Sequence, residues 1–585
     1  MTTTPEKTAQ PGVADPKTLL EQAPVSGGPM HGLMPPRDGS LTPLGITAPT
    51  GKFGRIFGAL PALEPDDGAL EELGAAMFEA DGADPALDNP NVPAGYTYLG
   101  QFIDHDITLD TSSLQEIQVD PLALRNFRTA ALDLDSLYGQ GPGANPELYT
   151  RVDPDLFELG NTGADNSGAG DSSIRQSHFD LPRTPSGLAI IADPRNDENL
   201  IVAQLHRTFL QFHNAVVSGI RGGQIQQVTP GSLSPFDEAR QIVTWHYQWV
   251  VLHDFLRRVL DTAVLDDVVT NGPKFMVLAH NQEMFIPVEF SAAAYRLGHS
   301  MIRASYNYNR VFTFLPGGLP IATLRFLFLF SGRSGTANGT PIPPDWVIDW
   351  RRFVDLGTGN QVNAARQFDP FLAGPLAGAG QPNPELSGIP NVPAPSSLPI
   401  RNLKRGRSFG LPSGQAIARF MGQRVLTPDE VAQGPDGAIA AKHGLHIESP
   451  LWYYILKEAQ VLGNSAHLGP VGSRIVAETF VAMLQADNGS FLTSNPSWKP
   501  TLGATVGTFE LADLIKFAVA NDGGPNPIGE VPQPLVDANP NIVQQLLDWR
   551  QQRRQNGQDP FDFAAFRQHL LDLGAPDVGD AVFMG

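Results

Sequence analysis

The densest group of polar side chains set in an apolar frame is Gly100-Gln101-Phe102-Ile103-Asp104-His105-Asp106. Gln101 and His105 are four residues apart, so a helix sets an amide and an imidazole on one face, a pairing suited to positioning a small ligand for proton transfer. Asp104 and Asp106 flank the histidine and must point elsewhere. A helix start with acids near the positive end of its dipole is the plainer reading of the same letters. Downstream, Thr129-Ala130-Ala131-Leu132-Asp133-Leu134-Asp135 alternates oxygen-bearing positions, a spacing that can wrap a hard cation in side-chain and carbonyl oxygens. It is not an EF-hand, because the glycine of that loop is missing. A strand end with solvated acids also fits these residues.

Most of the 13 histidines read as structural. His206/His213 and His246/His253 are each seven apart on predicted helices, about 10.5 Å along the axis, too far for easy joint ligation of one ion. Both pairs are therefore assigned to packing or capping. No HExxH, HxxEH or Walker pattern occurs. The single GxSxG, Gly406-Arg407-Ser408-Phe409-Gly410, follows a basic run where a nucleophile elbow needs an apolar strand, so a Ser/His/Asp hydrolase gains little from it.

The elements that must position these groups are mainly helical. Ser234-Pro235-Phe236-Asp237 and Thr427-Pro428-Asp429-Glu430 each place a capping hydroxyl, a first-turn proline and an acid three residues on. Apolar spacing at Ile201, Leu205, Phe209, Phe212 and Val216 predicts a long packed helix over 198–220, and the same spacing predicts another over 236–260. Alternating strand patterns are few and short. Residues 1–45 read as an irregular arm, with order expected to begin near Gly51. Two long irregular stretches, 153–183 and the proline-rich 370–399, read either as interdomain linkers or as excursions from one domain.

The 585 residues carry 59 glycines and 52 prolines, loop-rich but with an apolar share of 41% that supports a folded chain. A net charge of −21 without a Lys/Arg cluster argues against nucleic acid as a partner. The absence of cysteine rules out disulfides, thiolate-ligated metals and a thiolate nucleophile. The most apolar stretch, 311–331, contains Pro316-Gly317-Gly318, Pro320 and Arg325, which argues against a membrane span, and 326–330 reads as a short buried strand or core segment. The start has no apolar leader core, so the expected location is cytoplasmic, or outside the cell by a leaderless route.

Taken together and in order, GQFIDHDIT, LDLDSLYG, ADPRNDENL with LHRTFLQFHN, AAAYRLGHSMIR and RNLKRGRSFGLPSG resemble the motifs of the animal-type haem peroxidases, in the peroxidase–cyclooxygenase superfamily. The resemblance covers about residues 50 to 480, and the lack of cysteine fits a microbial member. It implies a mainly α fold: one large helical haem-peroxidase domain, 46–585, with very little β structure and with 370–399 as an excursion inside it.

The resemblance also implies a site. His299 looks like the proximal ligand of the haem iron, Asn402 like its hydrogen-bond partner, and Arg296 and Arg405 like partners of the haem propionates. His105 is similar to the distal histidine that shuttles a proton of hydrogen peroxide, Gln101 to the residue orienting the distal water or halide, and Arg195 to the distal arginine. For Arg195 the residue-level alternative is a surface ion pair. Asp104 and Glu198 match the carboxylates that form ester links to haem b. Asn199 stands where some relatives carry a methionine that makes a third link, so that link is expected to be absent. Asp106, Thr129, Ala131 through its carbonyl, Asp133 and Asp135 match a calcium site, with Asp135 where serine is usual. The implied activity is reduction of hydrogen peroxide with oxidation of halides, thiocyanate or phenolic donors. The competing expectations are a fatty-acid dioxygenase, whose usual tyrosine position is held here by Arg296 with Tyr295 beside it, and a non-enzymatic haem-fold adhesion protein.

Overall fold

Several helices start where a side chain takes up the backbone N–H groups that a helix leaves unpaired. Asp66 caps Asp67–Ala76 (α1), Asn199 caps Leu200–Arg221 (α3) and Ser234 caps Pro235–Val250 (α4), each side chain accepting from backbone N–H groups two or three residues on. Thr427 and Glu430 form a reciprocal capping box on the one-turn helix Pro428–Val431. Between α1 and α3 lies Gly95–Ile107 (α2), and later come Thr262–Asn271 (α5), Leu398–Ser408 (α6), Leu451–Leu462 (α7), Pro470–Ala486 (α8) and Leu511–Ala520 (α9). The computed structural model describes residues 51–79, 84–109, 125–161, 179–229 without 186, 233–279, 282–309, 347–357, 362–377 and 397–520, with isolated positions at 322–324, 327, 342, 552 and 568. The expected N-terminal arm 1–45, the middle of the 153–183 stretch and most of 370–399 and of 311–331 lie outside these residues; Leu327 is buried.

Among the described residues the architecture is mainly helical. Helix α3 is buried on nearly every side, packed against α2, α4 and α9. The rings of Phe102 on α2 and Phe209 on α3 stack at 4.6 Å between centroids, and Tyr247 on α4 stands edge-on to both. Offset and edge-to-face pairs of this kind add about 0.5–1.5 kcal/mol beyond burial, so three helices are pinned at one point beneath His105. Elsewhere α1 lies on α6, and α5 on α8.

The strands are short. Gly51–Gly54 (β1) pairs antiparallel with Arg125–Asn126 (β3) and parallel with Ile286–Pro287 (β4). Asp88–Pro93 (β2) pairs antiparallel with Ala364–Arg366 (β7), and Ser305–Tyr306 (β5) with Ala322–Thr323 (β6). Arg366 anchors the β2/β7 pair from beneath: fully buried, it donates to Glu79 at 2.8 and 3.0 Å and to Asp88 at 2.7 Å.

One expectation is corrected. Residues 236–260 are not a single α-helix: α4 ends at Val250, Val251–Phe255 form a π turn, and Leu256–Val259 resume α geometry. The wider turn lets Asp254 accept from Tyr96 Oη at 2.7 Å, Leu511 N at 2.9 Å and Arg258 Nε at 2.6 Å, while Phe255 reaches the central cavity. A π turn inserts one residue into the helical ladder, and such turns recur at functional sites.

Candidate active site

A cavity separates α2 from the segment 295–302. From α2 come Gln101 and Asp104; from the facing segment come Tyr295, Arg296 and His299. Aromatic and apolar side chains, among them Tyr96, Tyr98, Phe255 and Ile302, supply most of the lining, the usual character of a small-molecule or cofactor site. Tyr98 donates to Tyr306 Oη at 3.0 Å, and burial pushes the Tyr98 and Tyr295 phenols far above their ordinary range, so both stay neutral.

His299 sits on the one-turn helix Gly298–Met301, 6% exposed, with Asn402 of α6 behind it: Nδ1 and the Asn402 amide nitrogen are 2.8 Å apart. Asn402 Oδ1 in turn accepts from Arg296 Nη1 at 3.4 Å, and Arg296 Nε donates to the Ser291 carbonyl. His299, Asn402 and Arg296 are thus brought together as expected. Arg405, one turn beyond Asn402 on α6, carries its guanidinium over the Phe409 ring and does not line the cavity. Ser408 ends α6, so the GxSxG match lies at a helix C-terminus and not at a strand-to-helix elbow.

On the opposite wall Gln101 and His105 share a face of α2, but in its C-terminal half. This removes the reading in which Asp104 and Asp106 favour a helix start; they occupy the last turn, where carboxylates oppose the dipole. His105 is fully buried, with Nδ1 2.8 Å from Asn196 Oδ1, and Asn196 Nδ2 lies 3.0 Å from His206 Nδ1. In this orientation of the Asn196 amide the His105 proton resides on Nδ1 and the lone pair on Nε2. Burial lowers the His206 pKa to about 3, so that ring is neutral.

Gln101 is oriented by a chain of amides. Asn199 Oδ1 is committed to the Ile201 and Val202 N–H groups as the cap of α3, so its Nδ2 must be the atom that donates to Gln101 Oε1 at 3.1 Å. Gln101 Nε2 then donates to Glu198 Oε1 at 3.2 Å. Asn199, where a methionine link was expected to be missing, is thereby a cap and an orienting group at once.

Arg195 does not line the cavity and is not a surface group. At 5% exposure it forms a buried pair with Asp193, at 3.1 and 2.7 Å, and donates from Nη2 to the His105 carbonyl at 2.8 Å. Asp193 is shared with Arg128, whose Nη2 lies 2.5 Å from the same oxygen. Burial opposes charge on Asp193, but Arg195 and Arg128 outweigh it and hold the carboxyl well below its usual range.

The oxygen-rich loop folds as one cluster. Asp106, Asp133 and Asp135 bring carboxylate oxygens within 4.8 Å of one another. Leu134, at φ 58°, takes the left-handed turn that allows Asp133 and Asp135 to converge. Thr129 Oγ1 donates to Asp133 at 2.8 Å, Ala131 is part-buried on the same turn, and Asp106 accepts from Ser136 Oγ at 2.9 Å and from Leu134 N at 3.2 Å. Burial, then mutual repulsion, raises Asp106 well above its usual range and Asp135 to about 7, the latter against the pull of Arg128. Asn196, Asp193 and Arg128 were not singled out from sequence, although Asp193 and Asn196 lie inside the ADPRNDENL motif, and His206 was assigned only to packing or capping; nothing local marks Arg128.

The paired histidines pack as expected. His213 lies against Tyr138 and the Asp155 carbonyl, and His246 bonds the Ile242 carbonyl; burial lowers both to about 4.

Comparison with known proteins agrees with this arrangement. Residues 113–316 match the model of the animal haem peroxidase family. A peroxidase-like protein of Margaritifera margaritifera is 28% identical over 289 residues, which cover 47% of this chain and 31% of that protein. Thyroid peroxidase of Canis lupus familiaris is 24% identical over 333 residues, 52% of this chain and 30% of that protein. The match therefore spans under a third of the length of either curated relative. In fold the chain is similar to peroxidase A from Dictyostelium discoideum, with a TM-score of 0.54 and 14% identity over 81% of this chain and 94% of that one. Over residues 113–316 the chain matches the animal haem peroxidase family, the family whose motif order it resembles, and its helical fold is similar to that of a peroxidase.

Proposed function

We propose that this chain is a haem-dependent peroxidase, reducing hydrogen peroxide and oxidising small anionic or phenolic donors. The observation that carries the proposal is the cavity between α2 and 295–302: the His299 imidazole lines one wall, the His105 imidazole is buried in the helix that forms the other without lining the cavity, and each contacts an asparagine amide. A largely apolar cavity with the His299 imidazole on one wall suits a macrocycle with a metal at its centre. Haem b, when bound, would supply an iron that exchanges electrons with peroxide and then with the donor.

The roles of this chain's residues follow from their placement. His299 would hold the iron through Nε2, which requires the Asn402 amide to present its oxygen to Nδ1–H; amide oxygen and nitrogen exchange places by a half-turn of the side chain. Arg296, on the cavity wall, would meet a propionate carboxylate, whereas Arg405, over the Phe409 ring and off the cavity wall, would do so only by turning its side chain. Asp104 on the cavity wall, and Glu198 behind Gln101, are the candidate ester-forming carboxylates. His105, holding its lone pair on Nε2, would take a proton from one peroxide oxygen and return it to the other. Gln101 would orient the small molecule beside it, and Arg195, adjacent to the His105 carbonyl, would contribute fixed positive charge as negative charge develops. Asp106, Thr129, Ala131, Asp133 and Asp135 would bind calcium, a hard cation matched to oxygen ligands and to buried carboxylates.

The visible spectrum of haem-reconstituted protein, before and after one equivalent of hydrogen peroxide, tests this against His299→Ala. A Soret band that shifts within seconds in the wild type and fails in the variant is expected. Haem uptake without reaction, or no uptake, would overturn the catalytic reading in favour of a non-enzymatic scaffold. A second reading, lipid oxygenation, has one observation in its favour: Tyr295 lines the same cavity. Oxygen uptake with a polyunsaturated fatty acid, abolished in Tyr295→Phe, would carry it.

A further inference from the structure

The cation cluster and the histidine above it are joined twice. The first link is covalent, since Asp106 follows His105 in α2. The second runs through charge: Arg128 Nη1 donates to Asp135 at 3.0 Å, its Nε and Nη2 donate to Asp193 at 3.2 and 2.5 Å, Asp193 binds Arg195 through both oxygens, and Arg195 Nη2 donates to the His105 carbonyl at 2.8 Å. Arg128 and Asp193 are fully buried, so these pairs are unscreened by water. The circuit closes on one turn of helix, the last turn of α2. Two more of its carbonyls are tied: Asp104 O accepts from Thr108 N, and Ile107 O from Asn126 Nδ2 at 2.8 Å.

The charges of the ring are incomplete on their own. Four carboxylates (Asp106, Asp133, Asp135 and Asp193) face two guanidiniums (Arg128 and Arg195), which leaves two negative charges, the amount that one divalent cation carries. On the outer side Asp133 also feels Arg240 and Asp487, of opposite sign. Arg128 and the cation draw on the same carboxylate, Asp135. Whatever fraction of the Arg128 charge Asp193 satisfies is not available to compete with the cation.

We infer that Arg128 and Asp193 are positioning residues: they tie the carboxylate cluster through Arg195 to the last turn of α2, so that cation binding and the setting of the His105 ring are coupled. The inference rests on the proposed roles of His105 and of the cluster. Coupling of this kind is reciprocal, so a change at either end is felt at the other.

The test uses the full chain. Tb³⁺, an oxygen-seeking probe of the cluster, is titrated into metal-free wild type, Asp193→Asn, Asp193→Glu and Arg128→Lys. Cyanide binding to the haem-reconstituted proteins is then followed against pH, with calcium and after chelation. Asp193→Asn removes no candidate ligand, yet it turns the Arg128 charge wholly onto Asp135; Tb³⁺ affinity is expected to fall about tenfold, the effect of one nearby unit charge, and to recover in Asp193→Glu. In the wild type, chelation is expected to shift the pH profile of cyanide binding, which a merely structural role would not move. In Arg128→Lys, which keeps the charge but not the fork that reaches both carboxylates, the shift is expected to vanish. Tb³⁺ affinity of Asp193→Asn within twofold of wild type, or a chelation shift unchanged in Arg128→Lys, would overturn the coupling, as would a wild type that takes up no Tb³⁺. If the expected Tb³⁺ pattern holds in protein that binds no haem, the tie stands and the peroxidase reading alone falls.

Discussion

Two asparagines, not the histidines they touch, decide which imidazole nitrogen is available for chemistry. Asn402 stands between His299 and Arg296, within hydrogen-bond reach of both. Replacing it by leucine leaves the His299 ring without a fixed tautomer, and haem affinity should fall by about 10–100-fold, as for other partners behind metal-bound histidines; absorbance titration reads it. Asn196 does the same for His105, and Asn196→Ala should slow the reaction with peroxide by about 10²-fold in stopped-flow traces while haem uptake stays unchanged. Asn402 was legible only because a run of residues around it resembles a family motif. Asn196 was not, since an Asn within Pro-Arg-Asn-Asp reads equally as a helix-start residue, and its two histidine partners are 91 and 10 residues away. Arg128 was hidden for the same reason: its ion pairs exist only once Asp193 has been folded against it.

Helix ends carry the next level of control. Asn199→Ala removes the cap of α3 and should cost about 1 kcal/mol in urea unfolding. Asn199→Asp keeps the cap but loses the donor to Gln101, so it should leave stability near wild type and change only the ligand-orienting behaviour of Gln101, read as altered anion binding. Deeper in the fold, Glu458 of α7 points its Oε2 at the first N–H groups of α8, at 3.0 Å from Val471 N, with no cation beside it; burial raises its pKa to about 8 despite those donors. A carboxyl raised in the folded state is most stabilising in its protonated form. Its contribution is fully present below the unfolded value near 4.5 and is lost as pH rises through about 8. The melting temperature should therefore fall between pH 5 and 9 through this group, and Glu458→Gln should flatten that slope. The capped starts at Ser234 and Thr427 could be read from local letters because capping is local chemistry. The π turn at 251–255 could not, because Val250-Val251-Leu252 is apolar on either side of the extra residue and the periodicity passes over it unbroken. The placement of the QxxxH segment late in α2 was equally hidden, since no capping residue precedes Gly95 to fix the start.

At the scale of the molecule, long-range ties join segments far apart in sequence. Arg366 binds Glu79 and Asp88 across nearly three hundred residues; Arg366→Ala would leave the buried Glu79 without its ion-pair partner, while Asp88 keeps Arg303, and should cost about 3 kcal/mol of unfolding free energy, measured by denaturant titration. The class of the fold was legible in the density of helix signals, whereas the pairing of β2 with β7 and of β1 with β4 was not, because strands of two to six residues carry too few letters to specify a distant partner. Separation in sequence has a consequence for how the protein is made. His299 and Asn402 are 103 residues apart. A ribosome adding ~5–20 residues per second needs roughly 5–20 s to travel between them. During that interval an emerging chain already displays the imidazole without the amide it contacts, so the pair forms only after residue 402 has left the ribosome.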